Sequence, residues 1–138
     1  MKILVTGASS GVGLELCKIL SRRHTIIGIG RRELDYPYYH SLDLAGEYET
    51  PINATDLDVI VHCAGIFKSG SLEDHPESNI NTMIQTNLTS VITLTKRLLP
   101  KMKKDGKVIL VSSVSGLRGQ HHQAVYSATK HGLQGFAD

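Results

Sequence analysis

The stretch AVYSATKHGLQGFAD, residues 124–138, places Tyr126 and Lys130 four positions apart. On a helix such residues share a face, so a phenol and an ammonium can approach one another or a common ligand. A phenol in water titrates near 10, and a neighbouring cation favours phenolate, which suits the group to acid–base work near neutrality. Bringing it to about 7 takes roughly 4 kcal/mol of preference for the phenolate. Any exposed tyrosine and lysine on a helix can show this spacing, so the rest of the chain must decide what the pair does.

A second constellation lies at the other end. TGASSGVG, Thr6 to Gly13, directly follows the apolar run KILVT. Glycines there permit a tight turn and let the backbone approach a pyrophosphate, while the start of the following helix supplies N–H donors and a positive dipole. Gly7, Ser9, Ser10, Gly11, Val12 and Gly13 are the candidate phosphate contacts. The same glycines could serve backbone conformation alone. A P-loop is disfavoured because no Gly-Lys-Ser/Thr follows.

Other chemistries find little support. Cys17 and Cys63 match no metal or redox spacing, and the seven histidines form no HxxxH or HExxH pair, so no metal site is expected. Adjacent His121 and His122 would point apart in most backbones. Fifteen basic and thirteen acidic residues are interspersed and leave a formal charge of +2, which indicates no nucleic-acid face. The densest basic run, KRLLPKMKK from Lys96, reads as a solvated helix end. No apolar run approaches the roughly 20 residues that span a bilayer, and the chain opens on a strand rather than a signal peptide. The expectation is a cytoplasmic protein with no membrane partner, its 138 residues forming one domain.

Elements must hold these groups in place. Near-continuous apolar runs at Lys2–Thr6, Thr25–Ile29, Asp58–His62 and Lys107–Ser112 predict strands buried on both faces, with a weaker one at Tyr38–Leu42. Val12, Leu16, Ile19 and Leu20 mark one amphipathic helix. Ile80, Met83, Ile84, Leu88, Val91, Leu94 and Leu98 mark a longer one, with Gly106 as its expected C-terminal cap. Alternating strands and helices specify right-handed crossovers and an α/β doubly wound, Rossmann-type parallel sheet.

With the motifs in this order, TGxxxGxG resembles the cofactor turn of the short-chain dehydrogenase/reductase family. The resemblance extends to Asp43 in LDL, Ala64-Gly65 after the fourth strand, Asn87 in QTNLTS, Ser113 in VSSVSG, and Tyr126 and Lys130 thirteen and seventeen residues past that serine. It covers essentially the whole chain and implies sheet order 3-2-1-4-5 with helices on both faces. It also implies an oxidoreductase that passes hydride between a nicotinamide and a carbonyl or alcohol. Tyr126 would be the general acid or base, Ser113 would hold the substrate oxygen, and Asn87 would fix a water leading to Lys130. A satisfied helix asparagine is the plain alternative for Asn87.

At the end of the second strand, where a carboxylate would select NAD, this chain has Arg31 and then Arg32. A guanidinium fork suits a 2′-phosphate, so NADP(H) is expected over NAD(H), with Arg31 the main determinant and Arg32 a second contact. Two surface arginines in a turn are the alternative. Asp43 would accept from the adenine amino group, unless it is a solvated loop aspartate, and Leu44 would line the adenine pocket. Three departures stand out. His62 and Cys63 replace two asparagines, with Cys63 expected to be structural. The segment from Leu34 to Asp56 is short enough to imply an abbreviated crossover. The 138 residues do not reach the family's C-terminal strands and substrate cover, so the chain is expected to be a truncated or partly represented version of a longer enzyme, and without those parts the fifth strand would be an exposed edge prone to pairing. The apolar faces of the two long helices would likewise favour pairing, and the resemblance implies a homodimer or homotetramer through those helices; a second reading is a nucleotide-binding module that senses or recruits without turnover.

Overall fold

The computed structural model describes every residue except 35–37, 47, 49–51 and 53. Its five strands are β1 (Lys2–Thr6), β2 (Thr25–Gly30), β3 (Tyr39–Ser41), β4 (Leu57–His62) and β5 (Met102–Leu110). They form one parallel sheet in the order β3-β2-β1-β4-β5. The helices are α1 (Gly11–Leu20), α2 (Glu77–Ile84), α3 (Ser90–Leu98) and α4 (Ala124–Ala137).

Alternation along β1 explains why its sequence is apolar without a break. Ile3 and Val5 face Cys17 and Leu16 of α1, whereas Leu4 faces Leu94 and Leu98 of α3 on the other side. A strand covered on both faces is apolar through its middle, and its one buried polar side chain, Thr6 at the carboxyl end, has a hydrogen-bond partner. Between β3 and β4 the described residues contain no helix, and Leu44, Ile52 and Ala54 are buried in the α3-side core instead. The abbreviated crossover is thus an irregular segment that fills its share of one face; the rest of that expectation lies outside the described residues.

The long helix departs from expectation at both its middle and its end. Residues Gln85–Thr89 form a π-helical turn between α2 and α3. This widened turn carries Asn87, fully buried, on the core side, while Ile84 of the expected stripe is left 39% exposed. The helix also stops well before Gly106. Leu99–Lys101, with Pro100, makes a 3₁₀ turn, and β5 begins at Met102; a proline cannot continue the ladder. Gly106 lies inside β5, where the pairing jumps from Leu57–Met102 to Val59–Lys107. A Cβ there would stand 3.0 Å from the Lys103 carbonyl and 3.2 Å from that of Leu57, so this glycine serves a bulge and not a cap. Beyond the bulge, Ile109 is 47% exposed on the α1 side of the sheet.

Candidate functional site

The segments that leave the carboxyl ends of all five strands border one cleft of about 310 Å³. In open α/β sheets this is the end at which ligands bind. The glycine-rich turn forms its floor. Gly7 and Gly11 adopt left-handed backbone at φ 69° and 53°. A Cβ on Gly7 would lie 2.8 Å from the Ala64 nitrogen, and one on Gly13 would lie 2.4 Å from the Gly7 carbonyl oxygen. Only glycine permits both approaches. Ser10 sits at the N-cap of α1 in extended backbone and its side chain makes no capping bond, so the first turn presents N–H groups that an anion can take. Ser9, Ser10 and Val12 line the cleft beside the glycines. Such a cradle, with no side chain intruding, fits a dinucleotide pyrophosphate.

Arg31, at the end of β2, borders the same cleft and is exposed, as is Arg32, which does not line it. After β3, Asp43 and Leu44 line the cleft; Asp43 accepts the Ala45 N–H at 3.0 Å, and Leu44 also belongs to the core. After β4, the Ala64 N–H donates to the Thr6 hydroxyl at 3.1 Å, which ties the two central strands together where Cys63 cannot. Burial pushes the Cys63 thiol up to about 11, with Cys17 adding to the rise and Lys130 opposing it, so it stays a protonated thiol as its structural reading requires.

At the far side α4 brings Tyr126 and Lys130 onto one face. Lys130 is buried, donates to the Val111 carbonyl at 2.9 Å, and stands 5.7 Å from the centre of the Tyr126 ring. Desolvation lowers its pKa, partly offset by Cys63. An ammonium has three protons, so one bond to Val111 leaves donors for a ligand. Ser113 does not line the cleft. It caps the short turn Val114–Gly116, where its oxygen accepts the Ser115 N–H at 3.2 Å and its own proton is left to give. Asn87 does not line the cleft either. Its amide accepts the Ile66 N–H at 2.8 Å and donates to the Ile66 carbonyl at 2.9 Å and to Thr129 Oγ1 at 3.2 Å. It is a strut between the loop after β4 and α4.

Sequence reasoning missed Phe67, whose ring meets Tyr126 edge-on at 5.0 Å between centroids. It also missed Thr86, Val111 and Ser112 in the cleft wall. Nothing local marks these residues; only the crossing of loop and helix brings them in. His121 and His122 do not point apart: their rings are 3.8 Å apart, and His122 has positive φ. Among the described residues no His, Cys, Asp or Glu grouping could hold a metal, and no helix is long and apolar enough to cross a membrane.

His62, at the end of β4, is buried beneath the site with Nε2 2.9 Å from the Thr95 hydroxyl. Burial pushes its pKa from 6.5 down to about 4. The unfolded chain therefore binds one more proton than the folded one between these values, and stability falls as pH drops through that window. By pH 4 the loss from this residue is expected to reach roughly 3 kcal/mol. Urea unfolding at pH 7 and pH 4.5 checks it: His62→Asn should lose clearly less stability than the parent over that interval. Equal losses would assign the acid sensitivity to other groups.

Comparison with known proteins places this geometry among its kin. A family model described as short chain dehydrogenase matches residues 49–138. The 3-ketodihydrosphingosine reductase of Bacteroides thetaiotaomicron is 32% identical, over 99% of this chain and 55% of its own length. A 3-oxoacyl-[acyl-carrier-protein] reductase of Escherichia coli is also 32% identical, over 97% of this chain and 63% of its own. The chain thus spans little more than half of these relatives. A structure from Shigella flexneri, solved in complex with NADP, superposes with a TM-score of 0.89 at 27% identity and covers 98% of this chain and 68% of that one. With a parallel sheet in the order 3-2-1-4-5, a glycine-rich turn on a helix start and these matches, the chain belongs to the short-chain dehydrogenase/reductase family.

Proposed function

We propose that the chain binds NADP(H) and carries out hydride transfer to a carbonyl or from an alcohol, with Tyr126 as general acid in reduction and general base in oxidation. The observation that carries this reading is that Tyr126 and Lys130 line the same cleft as the Gly7–Gly13 turn. When bound, the nicotinamide supplies or accepts the hydride. Lys130 offers donors to the ligand, and Ser113 donates to the substrate oxygen so that it faces the phenol. Asn87 positions Tyr126 from behind. Arg31, with Arg32 as a second contact, would hold a 2′-phosphate; Asp43 and Leu44 would meet the adenine, and Ala64 and Gly65 would pass close to the ribose. The reductase relatives and the NADP complex support the reaction class and the cofactor. The substrate is proposed only as a carbonyl or alcohol, the assembly as a homodimer or homotetramer, and the setting as cytoplasmic.

A titration of NADPH fluorescence followed by a screen of small ketones and aldehydes tests the proposal. Tight binding without any turnover that depends on Tyr126 would leave a nucleotide-binding module instead. Arg31→Ala is expected to weaken NADPH about tenfold, the loss of one charge-assisted contact worth about 1.4 kcal/mol, and to leave NADH unchanged. A preference for NADH that Arg31→Ala does not alter would remove the cofactor assignment.

A further inference from the structure

Strand β2 contains the sequence Gly28-Ile29-Gly30, and its two glycines have a common neighbour. Tyr39 on β3 stands opposite Gly28 in the parallel register. A Cβ at Gly28 would lie 2.8 Å from Cδ2 of that ring, and one at Gly30 would lie 2.5 Å from its hydroxyl. The glycines thus leave a channel along β2, and the ring lying in it delivers a phenol to the strand's carboxyl end. Ser9 Oγ approaches the same Gly30 position to 2.8 Å, so the two hydroxyls are neighbours beneath the edge of the cleft. Ser9, Gly30 and Arg31 all line that cleft.

The Tyr39 hydroxyl is buried and makes no hydrogen bond. Burial raises its pKa, with Cys17 adding to the rise, while the nearby Ser9 hydroxyl and Arg32 act in the opposite sense, so Ser9 is the partner within reach. Buried side-chain hydroxyls without a partner are uncommon and call for a reason. Phenylalanine would fill the same channel without the orphaned group. A role in packing accounts for the ring but not for the oxygen.

We propose that Tyr39 is a positioning residue for the adenosine end of NADP(H), acting through Ser9: when the nucleotide binds, its phenol donates to Ser9 Oγ, and Ser9 turns its own proton to the 2′-phosphate. The proposal rests on the NADP(H) reading above. A chain of two hydroxyls polarises the outer one and fixes its direction, and a serine so held serves a phosphate that NADH lacks.

The test is fluorescence titration of NADPH and of NADH against the parent chain, Tyr39→Phe, Ser9→Ala and the double variant, with thermal melts of each free protein. Tyr39→Phe is expected to weaken NADPH roughly fivefold to tenfold, the worth of about one hydrogen bond. NADH should stay within about twofold, and the melting temperature of the free protein should rise by a few degrees as the orphaned hydroxyl is removed. Ser9→Ala should lower the ratio of NADPH to NADH affinity in the same direction, whatever it costs both nucleotides at the pyrophosphate, and the double variant should bind NADPH no more weakly than Ser9→Ala alone. An unchanged ratio of NADPH to NADH affinity in Tyr39→Phe, including equal loss of both, overturns the proposal. A parent chain that binds neither nucleotide, or prefers NADH, overturns the cofactor reading first and this inference with it.

Discussion

Tyr126→Phe is expected to lower kcat for carbonyl reduction about a thousandfold while NADPH affinity stays within about threefold. The magnitude is that of losing a positioned general acid, typically 10²- to 10⁴-fold. The selectivity comes from the packing. Tyr126 is half-buried and meets Phe67 at an interplanar angle of 80°, an edge contact that belongs to the ring and survives removal of the oxygen. Lys130 keeps its bond to Val111 and its access to the cleft. Steady-state rates with the best carbonyl from the screen, set beside NADPH titrations of both proteins, make the comparison. Turnover within tenfold of the parent would take the phenol out of the acid–base role.

The second large effect is on stability. Asn87→Ala is expected to destabilise the chain by about 3 kcal/mol, a fall in melting temperature on the order of 10 °C. Asn87 is fully buried, and its truncation strips partners from Ile66 N–H, Ile66 C=O and the Thr129 hydroxyl at once. The damage should reach the site, because Thr129 in turn donates to the Tyr126 carbonyl at 2.7 Å. Thermal and urea unfolding measure the first part, and kcat with Asn87→Ala measures the second. Parent-like stability would mean that the loop after β4 and α4 are held together by other contacts.

These residues also show what a sequence does and does not disclose. The strands, the glycine turn and the Tyr126–Lys130 pair were legible because each signal is local: a run of apolar residues, left-handed glycines at a helix start, a four-residue spacing. Asn87 was legible as a buried amide breaking an apolar stripe, but not as a strut. Its partners come from Ile66 and Thr129, twenty-one and forty-two positions away. The helix end was misplaced because Gly106 is a strong cap signal in isolation, while the stop was already present in Pro100. Gly28 and Gly30 gave no sign of their purpose, which depends on a tyrosine in the neighbouring strand.

The π turn at Gln85–Thr89 bears on the helix as a whole. One residue added to an α-helix rotates everything beyond it by about 100°. The two halves accordingly serve different partners: α2 lies against α4, while Val91, Leu94 and Leu98 of α3 are buried, the last two against the sheet. A regular helix of the same length would have to choose one of these alignments. The turn therefore acts as a change of phase between scaffold and reactive half, and Asn87 stands where the two phases meet.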